Sequence, residues 1–238
     1  MKEVILLAGG LGTRLRSVVA DRPKPLSLIA GRPFIEWQIE AMSAKGIKRI
    51  VLAVGYLGEM IEAHLGNRFA GCDLSYSYET AALGTGGAIR LAMKAISDKH
   101  VFVSNGDTFI DCNFSALEAS FKNNPDLIAS IAVIHAADAD RYAFVSWDEK
   151  TAIVTKFLNR GEAQAGWINA GLYCINRDKF IDRTADGNFS IEKDFFEVQV
   201  GNLLIAAVPL DSEFIDIGIP SDYDKAQLFI PQLSKKFS

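Results

Sequence analysis

At 238 residues, 49% hydrophobic and 23% charged, the chain is long enough to bury a sizeable core and has the make-up of a globular fold. A net charge of −4 without any Lys/Arg run argues against a nucleic-acid binder, and no apolar run reaches the roughly 18 residues of a membrane span. Cys72, Cys112 and Cys174 are odd in number, widely spaced and outside CxxC pairs. They read as reduced core thiols of a cytoplasmic protein rather than disulfide or metal ligands, and the N-terminus lacks the pattern of a secretory leader.

The first half alternates strand and helix patterns. Val4–Ala8 reads as a buried strand that runs into Gly9-Gly10-Leu11-Gly12. Pro33 opens a helix with Ile35, Ile39 and Met42 on one face, ending near Gly46. Ile50–Val54 is a β-branched strand, Glu59–Leu65 a helix and Leu74–Tyr78 a third strand. Gly84–Ser97 carries Ala88, Leu91, Ala92, Ala95 and Ile96 at helical spacing. Val101–Ser104 is a strand with Asn105-Gly106-Asp107 at its carboxyl end. From about Leu127 strands dominate: Ile128–His135, Ala143–Trp147, Ile153–Phe157 and Ile168–Ile175. A helix near Ile191–Val200, a strand at Leu203–Val208 and a helix at Pro220–Leu233 close the chain. This order predicts an α/β fold: one Rossmann-like, doubly wound domain over residues 1–238, with a mixed, mainly parallel sheet and ligands at the strand carboxyl ends.

The first loop is built to hold phosphates. A glycine-rich turn after a first strand lets backbone N–H groups approach a polyphosphate, and Arg14 and Lys24 add fixed positive charge. Pro23 and Pro25 restrict the backbone that carries Lys24. The Walker A spacing is absent, and the string Gly10 to Leu15 puts Leu where a dinucleotide fingerprint needs its last Gly. A purely structural turn is the bland alternative, and the three glycines, Arg and Pro-Lys-Pro weigh against it. Asp107 and Asp216 each follow an apolar stretch. Either could be a turn residue; together, without neighbouring cysteines, they suit a hard cation such as Mg²⁺.

The string Leu7-Ala8-Gly9-Gly10-Leu11-Gly12-Thr13-Arg14-Leu15 with Pro23-Lys24-Pro25 resembles the signature of the sugar-1-phosphate nucleotidyltransferases. The resemblance continues in family order through Glu79 and Leu83–Ala88, Asn105–Asp107, Asn169–Tyr173 and Asp216–Pro220. Leu15–Val19 and Phe189–Phe195 look most like the branch that guanylylates D-glycero-D-manno-heptose 1-phosphate. The resemblance implies the nucleotide-diphospho-sugar transferase type of fold, with a nucleotide part at about 1–110 and a sugar part at about 111–220. It implies in-line attack of a sugar 1-phosphate on the α-phosphorus of a nucleoside triphosphate, most simply GTP. Arg14 would then hold the triphosphate, Lys24 would neutralise the incoming phosphate, and Asp107 and Asp216 would bind Mg²⁺. Leu7, Ala8, Gly9, Gly10, Gly12, Thr13, Glu79, Gly84 and Thr85 would line the nucleotide site.

An ionised Glu79 can accept from the N1–H and exocyclic amine of guanine, although uridylyltransferases acting on aminosugar phosphates can also carry Glu here. The family pattern points to Asn105, Tyr142, Ala143, Asn169 and Gly171 at the sugar, with Glu192 and Lys193 as secondary candidates. Many relatives have Glu-Lys where this chain has Asn159-Arg160; Arg160 keeps the charge, and Asn159 drops a carboxylate used on sugar hydroxyls. His64, His100 and His135 read as structural, and Trp167 stands close enough to Asn169 to line the sugar pocket. A UTP- or dTTP-dependent hexose or aminosugar 1-phosphate enzyme is the alternative. A cytidylyltransferase acting on choline phosphate fits the Asn169–Tyr173 segment less well. A non-catalytic nucleotide-sugar sensor would be expected to have lost Arg14, Lys24, Asp107 or Asp216, and all four are present. The partners implied are a nucleoside triphosphate and a sugar 1-phosphate; a homodimer is compatible with the sequence but not dictated by it.

Overall fold

The computed structural model describes residues 2–10, 15, 22–111, 113–136, 144–158, 165–202 and 204–235. In chain order the elements are β1 (Glu3–Leu7), β2 (Leu28–Ile29), β3 (Arg32–Pro33), α1 (Phe34–Ala44), β4 (Arg49–Val54), α2 (Gly58–Leu65), β5 (Arg68–Phe69), β6 (Cys72–Tyr78) and α3 (Gly84–Ala92). There follow β7 (His100–Asn105), β8 (Thr108–Ile110), α4 (Phe114–Asn123), β9 (Ala129–Ala136), β10 (Phe144–Trp147), β11 (Val154–Leu158), β12 (Gly166–Asn176), α5 (Arg177–Asp182), β13 (Ile205–Pro209), β14 (Phe214–Asp216) and α6 (Pro220–Ser234).

β1 pairs in parallel with β4 on one side and β7 on the other, and β4 pairs in parallel with β6. Such strands are covered on both faces and read as unbroken apolar runs. In β1, Val4 and Leu6 enter a core with α1, α2 and α4, while Ile5 enters a second core with α3 and α5. The strand order β6-β4-β1-β7 therefore reverses direction between β1 and β7, which is where an open α/β sheet binds its ligand. Beyond β7 the sheet turns antiparallel through β12, which also pairs β9 and β10. The register of β12 against β9 shifts between Asn169 and Tyr173, and Gly171 sits in that bend at φ +68°, a conformation glycine adopts without strain.

Three features depart from the sequence reading. The helix expected over Gly84–Ser97 ends at Ala92 and continues only as a tight turn at Met93–Ala95. The Glu3 carboxylate captures the Ser97 and Asp98 N–H groups and the Ser97 hydroxyl, which turns the chain back into β7. The expected helix near Ile191 is wound as a π-helix over Ile191–Glu197, with Ile191, Phe195 and Phe196 all buried. The short pairs β2–β3 and β8–β14, strand β5 and helices α4 and α5 were not anticipated. α6 lies on a third core formed with α1, Phe109, Ile215 and Ile217. Cys72 and Cys174 are free and buried; Cys112 lies outside the described residues.

Candidate active site

A cleft of about 320 Å³ opens at the reversal between β1 and β7. Its walls come from the Leu7–Gly10 turn, Lys24 and Pro25, the Glu79–Thr85 loop and the Asn105–Asp107 loop. Close backbone approach holds it together. A Cβ on Gly106 would stand 2.1 Å from the Leu7 carbonyl oxygen, so only glycine lets the Asn105–Asp107 loop cross the end of β1. A Cβ on Gly9 would lie 3.0 Å from Glu79 Oε1; the glycine lets that carboxylate face the turn.

Lys24 opens a tight turn, Lys24–Leu26, after an extended Pro23. Its Nζ lies 2.7 Å from Asp107 Oδ2, with 12% of the lysine side chain and 39% of the aspartate side chain exposed. Antiparallel pairing of β8 with β14 sets Asp216 opposite Thr108, and the Ile217 N–H donates to the Asp107 carbonyl. Asp216 Oδ1 accepts from the Gly218 N–H at 2.6 Å. A Cβ placed on Gly218 would meet both Asp216 Oδ1, at 2.8 Å, and Lys24 Nζ, at 3.4 Å. Two aspartates 109 positions apart thus flank one lysine. Among the described residues, no group of three or more His, Cys, Asp or Glu side chains gathers to hold a metal. A cation here would complete its shell with ligand oxygens and water, which suits Mg²⁺ and the all-carboxylate donor set.

At the opposite wall, Glu79 Oε2 accepts from the Leu83 N–H at 3.0 Å. Burial pushes its carboxyl above the ordinary carboxylate range, and the Leu83 N–H only partly offsets this. Gly84 stands at φ +66° with its Cβ position 2.6 Å from the Phe189 carbonyl oxygen. Gly84 and Thr85 line the cleft, whereas Gly86 and Gly87 pack on Phe189 and Gly187. Their N–H groups donate to the Phe189 carbonyl, so those two donors of α3 are already taken.

The sugar-side residues form a second layer. Asn169 Oδ1 accepts from the Gly171 N–H, and its Nδ2 donates to the Tyr173 hydroxyl at 2.9 Å. Tyr173 donates to Glu192, which also accepts from the Thr85 and Ser190 hydroxyls. A Cβ on Gly171 would press within 2.5 Å of Asn105 Nδ2, so this layer backs directly onto the cleft wall. Lys193 is exposed. Trp167, expected near the sugar, packs edge-on against His135 and Trp147. His64 bonds Glu36, and His100 stacks on Phe121.

Of the residues singled out in the sequence, Leu7, Ala8, Gly9, Gly10, Lys24, Glu79, Gly84, Thr85, Asn105 and Asp107 line the one cleft. Asp216 adjoins it at Lys24, and Asn169, Gly171 and Glu192 stand behind its wall. Gly12, Thr13, Arg14, Tyr142, Ala143 and Arg160 lie outside the described residues. Gly106 and Tyr173 stand in motifs that by themselves suggest no role for them. What they do depends on a carbonyl and a carboxylate distant in sequence.

A sheet whose order reverses at a glycine-walled, lysine-bearing cleft defines a phosphate-handling α/β enzyme, and residues 3–232 match the profile described as "Nucleotidyl transferase". The chain belongs to that family. It is 38% identical over 221 residues to the D-glycero-alpha-D-manno-heptose 1-phosphate guanylyltransferase of Campylobacter jejuni, covering 93% of this chain and 96% of that protein. The enzyme of the same name from Aneurinibacillus thermoaerophilus is 37% identical over 226 residues, covering 94% and 96%. The crystal structure of HddC from Yersinia pseudotuberculosis complexed with GMP-PN superposes with a TM-score of 0.81, at 32% identity, over 100% of both chains.

Proposed function

We propose that this chain transfers the guanylyl group of GTP to a D-glycero-D-manno-heptose 1-phosphate, giving the GDP-sugar and pyrophosphate. The observation that carries the reading is the pairing within one cleft of a half-buried acceptor, Glu79, with a Lys24–Asp107 ion pair at the other wall. Guanine presents two adjacent donors, N1–H and the exocyclic amine, and an ionised Glu79 has only acceptors to meet them. Uracil and thymine would set carbonyl oxygens against that carboxylate. The names of the two relatives, and the guanine nucleotide analogue bound by HddC, support the same base.

A sugar phosphate has its second pKa near about 6 and is largely dianionic at neutral pH, so the attacking oxygen needs no general base. The obstacle is bringing two anions together, and catalysis becomes positioning and charge neutralisation. In this reading the backbone of Gly9 and Gly10 receives the polyphosphate. Lys24 neutralises the entering phosphate, and Arg14 holds the triphosphate and the departing pyrophosphate. Asp107 and Asp216 would hold Mg²⁺, which supplies further screening of phosphate charge. By family resemblance, Asn169 and Gly171, with Tyr142, Ala143 and Arg160, would serve the sugar phosphate. The chain works as one domain on the cytoplasmic side, where nucleoside triphosphates are available.

The test is a matrix of GTP, UTP, dTTP and CTP against heptose, mannose, glucose and N-acetylglucosamine 1-phosphates with Mg²⁺, scored by pyrophosphate release. Release with GTP and the heptose phosphate, well above every other pair, is the expected result. Turnover with UTP or dTTP alone would overturn the base and leave the transferase chemistry. No turnover with any pair would overturn the function.

A further inference from the structure

Behind the cleft, one hydrogen-bonded chain joins the two substrate sides. The Gly171 N–H donates to Asn169 Oδ1, Asn169 Nδ2 to the Tyr173 hydroxyl at 2.9 Å, and that hydroxyl to Glu192 Oε1 at 3.1 Å. Glu192 Oε2 receives the Thr85 hydroxyl at 3.0 Å and the Ser190 hydroxyl at 2.9 Å. The Thr85 oxygen in turn accepts from the Ile191 N–H at 2.9 Å. Both Glu192 oxygens are therefore engaged by protein donors, although the sequence pattern makes it a sugar ligand. The first turn of the π-helix carries the residue, and π winding within a structure is frequently tied to function.

The direction of the chain is set by chemistry. Tyr173 has no solvent exposure. Its burial, and next the Glu192 carboxylate, raise the phenol well above its ordinary pKa, with Asp107 adding to the effect. The hydroxyl thus stays a neutral donor to Glu192 and has its lone pairs left for Asn169 Nδ2. That bond fixes which end of the Asn169 amide faces Gly171 and which faces Tyr173. Thr85, at the other end of the chain, lines the nucleotide cleft.

We propose that Tyr173 and Glu192 are positioning residues: Tyr173 orients Asn169 toward the sugar phosphate, and Glu192 ties that orientation to Thr85 on the nucleotide side. The inference rests on the guanylyltransferase reading above. It separates the two residues by their kinetic effects, since Tyr173 bonds the sugar-side Asn169 directly and reaches Thr85 only through Glu192, whereas Glu192 bonds Thr85 itself.

The experiment measures KM for each substrate, with the other saturating, in the full-length chain. Tyr173→Phe keeps the ring and removes the hydroxyl; it is expected to raise KM for the sugar 1-phosphate about tenfold, the scale of one hydrogen bond in a charged network. KM for GTP should stay within twofold. Asn169→Ala should match it, and the double variant should be no worse than the larger single effect, because both remove one unit. Glu192→Gln should raise both KM values. A Tyr173→Phe that shifts both KM values equally, or neither, would overturn the proposal, as would effects of Tyr173→Phe and Asn169→Ala that multiply. If Tyr173→Phe does not fold, unchanged KM values in soluble Glu192→Gln would overturn it instead. Wild-type protein without turnover in the substrate matrix would remove the functional reading and this inference with it. Normal wild-type turnover with wild-type KM values in the variants would sink this inference alone.

Discussion

Replacing Lys24 by alanine removes the one cation that the described residues set directly against Asp107. The Lys24 side chain is 12% exposed and its ammonium lies 2.7 Å from the carboxylate, on a turn braced by Pro23 and Pro25. Two magnitudes follow. For stability, the partner carboxylate is 39% exposed, so water screens the pair and its loss costs about 0–1 kcal/mol. In a chain of this size that lowers Tm by less than about 4 °C. For catalysis, the proposed role sets the ammonium against charge that accumulates as two phosphates converge, and loss of one preorganised contact of this kind costs about 2.7–4 kcal/mol, or roughly 100- to 1,000-fold in turnover. The variant should therefore fold almost normally and turn over at least about 100-fold more slowly. The assay pairs pyrophosphate release at saturating GTP and sugar phosphate with a thermal melt. A folded Lys24→Ala enzyme within about tenfold of wild type would refute the assignment of charge neutralisation to this residue.

Three further outcomes are expected. Asp216→Asn should raise the Mg²⁺ concentration for half-maximal pyrophosphate release by about tenfold or more, and an unchanged midpoint would remove Asp216 from the metal set. Glu79→Gln should raise KM for GTP about tenfold while leaving the discrimination among sugars as it is; equal GTP affinity in both proteins would separate Glu79 from the base. Glu3 is 1% exposed. Burial alone would raise its carboxyl, but the Asp98 and Ser97 N–H groups, the Ser97 hydroxyl and Arg49 outweigh it and hold it below the ordinary range. Its stabilisation is thus present above the unfolded carboxylate pKa of about 4.3 and disappears as pH falls through the lowered folded value. Glu3→Gln should cost about 2 kcal/mol at pH 7, and its Tm deficit should shrink as pH is taken toward about 3. A deficit independent of pH would show that the charge is not what stabilises.

Much of the architecture was legible because the physics that sets it is local. Val4–Leu6, Ile50–Val54 and Val101–Val103 lie in strands covered on both faces, so they read as unbroken aliphatic runs. Pro220 opens α6, where its ring presets the backbone of a first turn, and Pro33 stands just before α1 as its extended N-cap. The short pairs β2–β3 and β8–β14, of two or three residues each, are too brief to show any period. The π winding at Ile191–Glu197 shares its composition with an ordinary helix; the need to bury Phe195 and Phe196 together comes from the sheet they meet.

The candidate site divides along the same line. The residue types came from the chain alone: a glycine turn after a first strand, a lysine between prolines, and aspartates after apolar stretches are each short-range patterns with a chemical meaning. Their convergence was a tertiary matter. Asp107 and Asp216 meet because β8 pairs with β14, and Gly86 and Gly87 serve packing because Phe189 lies across them. Glu192 turns inward because Tyr173, Thr85 and Ser190 present hydroxyls that only the folded sheet brings together. Hydrogen bonds and ion pairs act over about 3 Å, whereas the residues that make them here are separated by up to 110 positions, from Asp107 to Ile217, a distance that no pattern along the chain can span.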